Sequence, residues 1–200
     1  MNLKAGKQFE ELTDAEIWNQ FCLGVESAFE YIYTSNFGRL YNYGCQFTTN
    51  TALVEDAIQE LFIDLRRRRE HLSPTHKILP YLYTAFRRKI IRLRDKESRN
   101  QEFEENKSFE ITLSVEDKII KEDIEKEDLQ KLQSAVASLT PRHREVIYYF
   151  YYENMGYAEI QQILGFEDIK SVRNLLYSTL KTLRKKITHT LLLAIWLSSL

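Results

Sequence analysis

The sequence contains little cysteine, proline or glycine. Cys22 and Cys45 are its only cysteines, and their spacing matches no metal-ligand motif, so a reducing cytoplasm is the natural location. Three prolines and six glycines leave long stretches rich in leucine, isoleucine, glutamate, lysine, glutamine and tyrosine. Because strand-like alternation is also scarce, the sequence predicts an all-α protein.

Long apolar runs are nearly absent as well. The start of the chain has no apolar signal segment, and the longest late run, "LLLAIWLSSL", falls short of the roughly 20 residues that span a bilayer. No membrane span is therefore expected. We expect residues 188–200 to pack as a terminal helix, with a partner-binding or membrane-surface role as the alternatives.

Patterns of enzyme chemistry are missing too. The histidines form neither a metal-ligand spacing nor a nucleophile pattern, and no glycine-rich segment is suited to cradle phosphates. We therefore expect no catalytic residue, no metal site and no cofactor. The histidines are His71, His76, His143 and His189.

The net charge of −1 conceals basic and acidic blocks. Residues 61–100 carry 12 basic and 4 acidic side chains, and residues 129–200 carry 9 and 5. Between them, residues 101–128 carry 4 basic and 11 acidic side chains. Because neutralisation of phosphates by lysine and arginine drives nucleic-acid affinity, this distribution favours two polyanion-facing modules. We predict helical domains at 1–98 and 129–187, joined by an acidic linker at 99–128.

The second domain has the pattern of a helix-turn-helix. Thr140 and the proline after it form a helix-start signal for a helix over 141–152. A shorter helix with apolar residues at helical spacing ends at Gly165, and another follows over 169–187. The last would be a recognition helix, which reads bases with its first turns. Its candidate DNA-facing residues are Lys170, Ser171, Arg173, Asn174 and Tyr177. An ordinary three-helix bundle with a charged outer face is the alternative.

The first domain begins with predicted helices over 14–33 and 37–47, and the two helices after them carry interaction patterns. The first of these two, "LVEDAIQELFIDLRRRREHL", has an acidic and amide face that could dock a basic partner or simply be solvated. The next helix, "YLYTAFRRKIIRLRDK", interleaves aromatic and cationic residues. Such residues can hold an unpaired strand, because bases stack on rings while phosphates meet positive charge. The alternative is an aromatic core with a basic surface, which we favour for Tyr83, Phe86 and Ile90.

Three segments together resemble a known family. "EDAIQELF" resembles a polymerase-docking helix, and "YLYTAFRRKIIRLRDK" resembles a helix that opens and reads the downstream promoter element. "LTPRHREVIYYFYYENMGYAEIQQILGF" with "SVRNLLYSTLKTLRKK" resembles a helix-turn-helix that reads the upstream element. In this order they resemble a bacterial RNA polymerase sigma factor of the extracytoplasmic-function type, in the sigma-70 family. The combination is more specific than any single segment.

The resemblance implies a function, partners and site residues. The protein would be a dissociable subunit that carries core RNA polymerase to promoters and helps open them, while polymerase performs the chemistry. Its partners would be core polymerase, promoter DNA as duplex and as separated non-template strand, and an anti-sigma protein. Polymerase binding would involve Asp56, Gln59, Glu60 and Phe62, with Phe62 as packing support. The melting region would be contacted by Tyr81, Arg87, Arg88, Lys89 and Arg92.

The chain departs from the family pattern at several positions. Tyr81, Arg88 and Arg92 stand where the family usually has Trp, Asn and Asp, so the resemblance does not carry over base preference there. Gln161 stands where a small residue is usual, and the segment 164–172 is one residue longer than the common pattern. A recognition-helix register shifted by one residue is therefore an open alternative.

A second function class also fits the helix-turn-helix. An autonomous transcription regulator with an unrelated amino-terminal interaction domain would contain the same DNA-binding unit. Such a regulator would bind its operator alone and tightly. A sigma factor would bind promoters weakly when free and initiate specifically only with core polymerase.

Overall fold

The computed structural model describes residues 8–100, 109–111 and 126–186, and every regular element within these ranges is helical. The chain divides into two compact units, residues 1–107 and 108–200. The predicted all-α fold with two helical domains is thus confirmed. No helix within the described ranges is both long and apolar enough to cross a bilayer. The expected terminal helix at 188–200 lies outside the described residues.

Local capping defines the helices of the amino-terminal unit. The Thr13 hydroxyl accepts from the Glu16 N–H at 3.3 Å, while the Glu16 carboxylate accepts from the Thr13 N–H at 2.8 Å. Asp14 of the same helix accepts from the Ile78 N–H at 2.8 Å and thereby caps a helix distant in sequence. The helices are α1 (Asp14–Cys22), α2 (Glu26–Gly44), α3 (Thr51–Arg68) and α4 (Ile78–Asn100), with a 3₁₀ turn at Arg69–His71.

The expected division between the first two helices was wrong. We predicted helices over 14–33 and 37–47, but the chain breaks at Gly24, whose φ of 87° is left-handed and favours glycine. The expected break at 34–36 does not occur. There the Thr34 hydroxyl donates to the Glu30 carbonyl at 2.8 Å and the Asn36 amide donates to the Ile32 carbonyl at 2.7 Å. These polar side chains bond back to the helix that they were expected to end.

Aromatic rings of α2 and α4 form the core of the amino-terminal unit. Tyr43 packs edge-on against Tyr83 at 4.8 Å between ring centroids and lies 6.1 Å from the ring of Phe86. Tyr83, Phe86 and Ile90 are all fully buried. The expectation that these α4 residues are core is therefore confirmed. Their burial leaves the polar face of α4 for other contacts.

The carboxy-terminal unit contains the predicted helix-turn-helix. Thr140 caps the first of its central helices by accepting from the His143 N–H at 3.4 Å. The predicted helix over 141–152 consists of an α-helix and a π-helical turn, in which the Glu153 N–H donates to the Tyr148 carbonyl at 3.1 Å. The elements are α5 (Lys126–Ala137), α6 (Pro141–Ile147), the π turn (Tyr148–Tyr152), α7 (Tyr157–Leu164) and α8 (Ile169–Lys186).

The core of this unit joins all its central elements. Val146, Tyr149, Ile160 and Val172 are fully buried, so α6, the π turn, α7 and α8 share one apolar interior. Phe109, from the stretch predicted as linker, is also buried, and its ring lies 5.7 Å from that of Tyr148. The predicted linker at 99–128 also includes the end of α4, which extends to residue 100, and the start of α5 at residue 126.

Candidate functional site

The outward face of α8 carries side chains predicted to contact DNA. Lys170, Arg173, Asn174 and Tyr177 are all exposed, Tyr177 to 68%. Their spacing of three and four residues places them on one stripe of the helix. The structure therefore brings four of the five predicted upstream-element residues onto one accessible surface, which we call the α8 face.

Ser171, the fifth predicted residue, is half-buried and has a capping role. Its backbone N–H donates to Asp168 Oδ1 at 2.7 Å, and its hydroxyl donates to Asp168 Oδ2 at 3.3 Å. Asp168 thus satisfies a free donor at the start of α8, and its negative charge lies at the favourable end of the helix. The helix begins at Ile169, as predicted.

Arg173 is oriented by an aromatic residue of the preceding helix. Its guanidinium carbon lies 5.3 Å from the centroid of the Tyr157 ring, a cation–π contact. The Tyr157 ring in turn lies 5.5 Å from the ring of Phe150. A role for Tyr157 was not predicted from the sequence. An aromatic residue at the first position of α7 was the available signal, but the pairing with α8 depends on how the two helices cross.

The predicted polymerase-docking residues lie on α3 in two different environments. Asp56, Gln59 and Glu60 are exposed. Phe62 is only 3% exposed, and its ring packs edge-on against Tyr33 at 4.9 Å between centroids. Phe62 therefore has the packing role that the resemblance implied, while the polar residues are accessible.

An open groove lies beside these residues, between α2 and α3. Its volume is about 310 Å³, and Ile63 at its edge is 54% exposed. Arg66 borders the groove, with its guanidinium carbon 5.5 Å from the Phe29 ring centroid and an ion pair to Glu26 at 2.9 Å. We call it the α2–α3 groove. Its lining residues are Phe29, Tyr33, Gln59, Phe62, Ile63 and Arg66.

Lys89 joins α4 to α3 through two carboxylates. Its ammonium lies 2.8 Å from Asp64 Oδ2 and 3.1 Å from Glu60 Oε2, and only 11% of the Lys89 side chain is exposed. The hydrogen bond from Lys89 lowers the pKa of the Asp64 carboxyl below its usual value. A predicted DNA contact is thus already paired with a predicted polymerase contact. The pairing of Lys89 with Asp64 was not predicted from the sequence, because the two residues are 25 positions apart.

The other predicted melting-region residues differ in exposure. Arg88 and Arg92 are exposed, and the Arg92 guanidinium lies 3.6 Å from the Glu60 carboxylate. Arg87 is half-buried. Tyr81 is also half-buried, with its ring edge-on to Trp18 at 4.8 Å between centroids, and burial raises the pKa of its phenol. Tyr81 is therefore a neutral hydrogen-bonding group at physiological pH.

Family models match most of both units. The model of sigma-70 region 2 matches residues 32–100, and that of sigma-70 region 4 matches residues 129–183. The chain belongs to the sigma-70 family. It is a sigma factor, and it directs RNA polymerase to promoters without being an enzyme itself. The region 2 match includes α3 and α4, and the region 4 match includes α7 and α8 up to residue 183.

Solved structures share the fold of this sigma factor. CnrH, solved in complex with the cytosolic domain of CnrY, is 17% identical with a TM-score of 0.59, and the match covers 86% of this chain and 95% of CnrH. The sigma factor RpoE from Bartonella quintana, solved with the anti-sigma factor NepR, is 16% identical with a TM-score of 0.58. That match covers 81% of this chain and 98% of RpoE. A comparison with curated proteins finds no match.

Proposed function

We propose that the exposed polar residues of α3 and α4 bind polymerase and opened promoter DNA, and that the α8 face binds the upstream element. The main support is that both matched family regions present accessible polar side chains. These are acidic and amide groups on α3, and mainly cationic groups on α4 and α8. Because sigma factors act with the polymerase that transcribes the chromosome, we assign the protein to the cytoplasm.

The polymerase-docking surface consists of the exposed side of α3 and the α2–α3 groove. Asp56, Gln59 and Glu60 supply polar contacts next to an apolar groove in which Ile63 is accessible. Protein interfaces commonly combine an apolar centre with a polar rim. The acidic side chains favour a partner surface that carries basic residues.

The melting-region contact is carried by the exposed cations of α4. Arg88 and Arg92 lie one helical turn apart, where they can bind successive phosphates of a separated strand. The half-buried Tyr81 ring offers a stacking or hydrogen-bonding edge near the start of the same helix. Extruding a base costs a few kcal/mol, so contacts formed only with the separated strand favour the open promoter. Lys89 contributes instead to the attachment of α4 to α3.

The upstream element is bound by the α8 face in the major groove. Arg173 and Asn174 have the side chains that pair with guanine and adenine edges, and Lys170 is suited to a phosphate. The region 4 match and the helix-turn-helix arrangement of α7 and α8 support this assignment.

An anti-sigma protein is the proposed regulator. The sigma factor RpoE was solved with an anti-sigma factor, and CnrH was solved with a cytosolic domain of a second protein. An anti-sigma protein that covered the exposed side of α3 would prevent polymerase docking. The same surface residues would then serve two mutually exclusive partners.

Replacement of Asp56 and Gln59 together by Ala should weaken binding to core polymerase by roughly 5- to 30-fold. Both side chains are exposed, so their loss removes polar contacts without opening the core, and one to two kcal/mol corresponds to that factor. Titration of fluorescently labelled protein with core polymerase measures the change. The matched control is the double variant Asn42→Ala with Glu70→Ala. It also removes one exposed amide and one exposed carboxylate, but neither residue lines the α2–α3 groove. Equal affinities of the two double variants would contradict the docking assignment.

A further inference from the structure

The turn between α7 and α8 is held by side chains that bind its backbone. Gly165 ends α7 with a left-handed φ of 66°, and the Phe166 N–H donates back to the Gln161 carbonyl at 3.0 Å. The chain then continues through Glu167 and Asp168 before α8 begins. The turn exposes carbonyl groups that no regular helix bond satisfies.

Gln161 satisfies two of these carbonyls with one side chain. Its amide nitrogen donates to the Phe166 carbonyl at 3.3 Å and to the Glu167 carbonyl at 3.0 Å. The side chain is half-buried, so water competes only partly for these bonds. A small residue at position 161 could not reach either carbonyl. Gln161 and the longer turn, which both depart from the family pattern, are thus parts of one arrangement.

Arg142 holds the same turn from α6. Its Nη2 atom donates to the Leu164 carbonyl at 3.1 Å, and its guanidinium carbon lies 4.2 Å from the centroid of the Phe166 ring. Asp168 completes the turn by capping α8. The turn is therefore fixed to α6 by Arg142, to α7 by Gln161 and to α8 by Asp168.

We propose that Gln161, supported by Arg142, is a positioning residue that sets where α8 enters the major groove and thereby determines upstream promoter specificity. The inference rests on the proposed role of the α8 face. Base-edge hydrogen bonds form only within a narrow distance range near 2.9 Å, so a displacement of the start of α8 by about 1 Å would lose them. Contacts to phosphates by flexible lysine and arginine side chains tolerate the same displacement.

The test compares Gln161→Met with Gln162→Met in the full chain bound to core polymerase. Both changes replace a glutamine amide by a thioether of similar length on α7, but Gln162 is exposed and lines no part of the turn. Initiation is measured on a matched promoter and on one with altered upstream sequence, with rates normalised to the active fraction. We expect Gln161→Met to reduce the matched-to-altered ratio about tenfold, comparable to one lost base contact, while Gln162→Met retains it.

A second variant guards against loss of folding. Gln161→Glu keeps a polar side chain of the same length but replaces the donor by an acceptor, so it should reduce the ratio at least as much as Gln161→Met. An unchanged ratio in folded Gln161→Met or Gln161→Glu would overturn the proposal. A fall in total activity that leaves the normalised ratio unchanged would also overturn it, because that result indicates a purely structural role. If the unmodified protein itself does not distinguish the promoters, the proposed upstream binding by α8 fails instead.

Discussion

Gly44→Ala should lower the free energy of unfolding of the amino-terminal unit by about 1–3 kcal/mol, the usual cost of overfilling a packed core. A methyl group at this position would lie 2.5 Å from Val54 Cγ1 and 3.1 Å from Phe86 Cζ. Val54 and Phe86 are fully buried, so neither can move away without disturbing further core residues. Gly44 thus allows the end of α2 to approach α3 and α4 closely.

Gly38→Ala is the matched control on the same helix. A methyl group at position 38 would meet no atom within 4 Å, and the residue is exposed. Because glycine in a helix interior is less favourable than alanine by roughly 0.5–1 kcal/mol, this change should raise the free energy of unfolding. Urea unfolding can be followed by the fluorescence of Trp18 in a Trp196→Phe background, since Trp18 is buried in the amino-terminal unit. If the free energy of unfolding changed in the same direction in both variants, close packing at Gly44 would be contradicted.

Arg173→Ala should reduce discrimination at the upstream element by about 5- to 150-fold, which corresponds to the roughly 1–3 kcal/mol of a good base contact. The Tyr157 ring restricts the guanidinium, and the residue lies on the exposed α8 face. Holoenzyme binding to promoters that differ only in the upstream element measures the effect. The loss of binding affinity should be large on the matched upstream element and small on altered ones.

Arg184→Ala provides the comparison for a contact with phosphate. Arg184 is exposed on α8 but lies in its last turn, away from the turns that enter the groove. Its loss should weaken binding about equally on every upstream sequence and reduce the salt dependence of binding. Equal losses for Arg173→Ala on matched and altered elements would contradict base recognition by Arg173.

Features set by local chemistry could be predicted from the sequence. The start of α8 at Ile169, the cap at Thr140 and the end of α7 at Gly165 each depend on a few adjacent residues. The error at α1 and α2 arose where local signals conflict. Gly24 can either continue a helix weakly or adopt a left-handed conformation, and the polar residues at 34–36 can bond back to the helix.

Features that depend on packing between helices could not be predicted in the same way. The sequence shows Lys89 as one of several cations on α4, but its pairing with Asp64 depends on the packing of α3 against α4. From the sequence, Gln161 is recognisable only as a large residue at a position where the family usually has a small one. Its role requires the carbonyls of Phe166 and Glu167 to point back toward α7, which no spacing rule reveals.

In vitro transcription tests the central claim most directly. Fragments of the genome that carry promoters are transcribed by core polymerase with and without the full-length protein, and binding of the free protein to the same fragments is measured in parallel. We expect specific start sites only when protein and core polymerase are both present, with weak promoter binding by the protein alone. The opposite result would be tight, specific promoter binding by the free protein, while no fragment shows a start site that depends on the protein. That result would contradict its role as a sigma factor and favour an autonomous regulator.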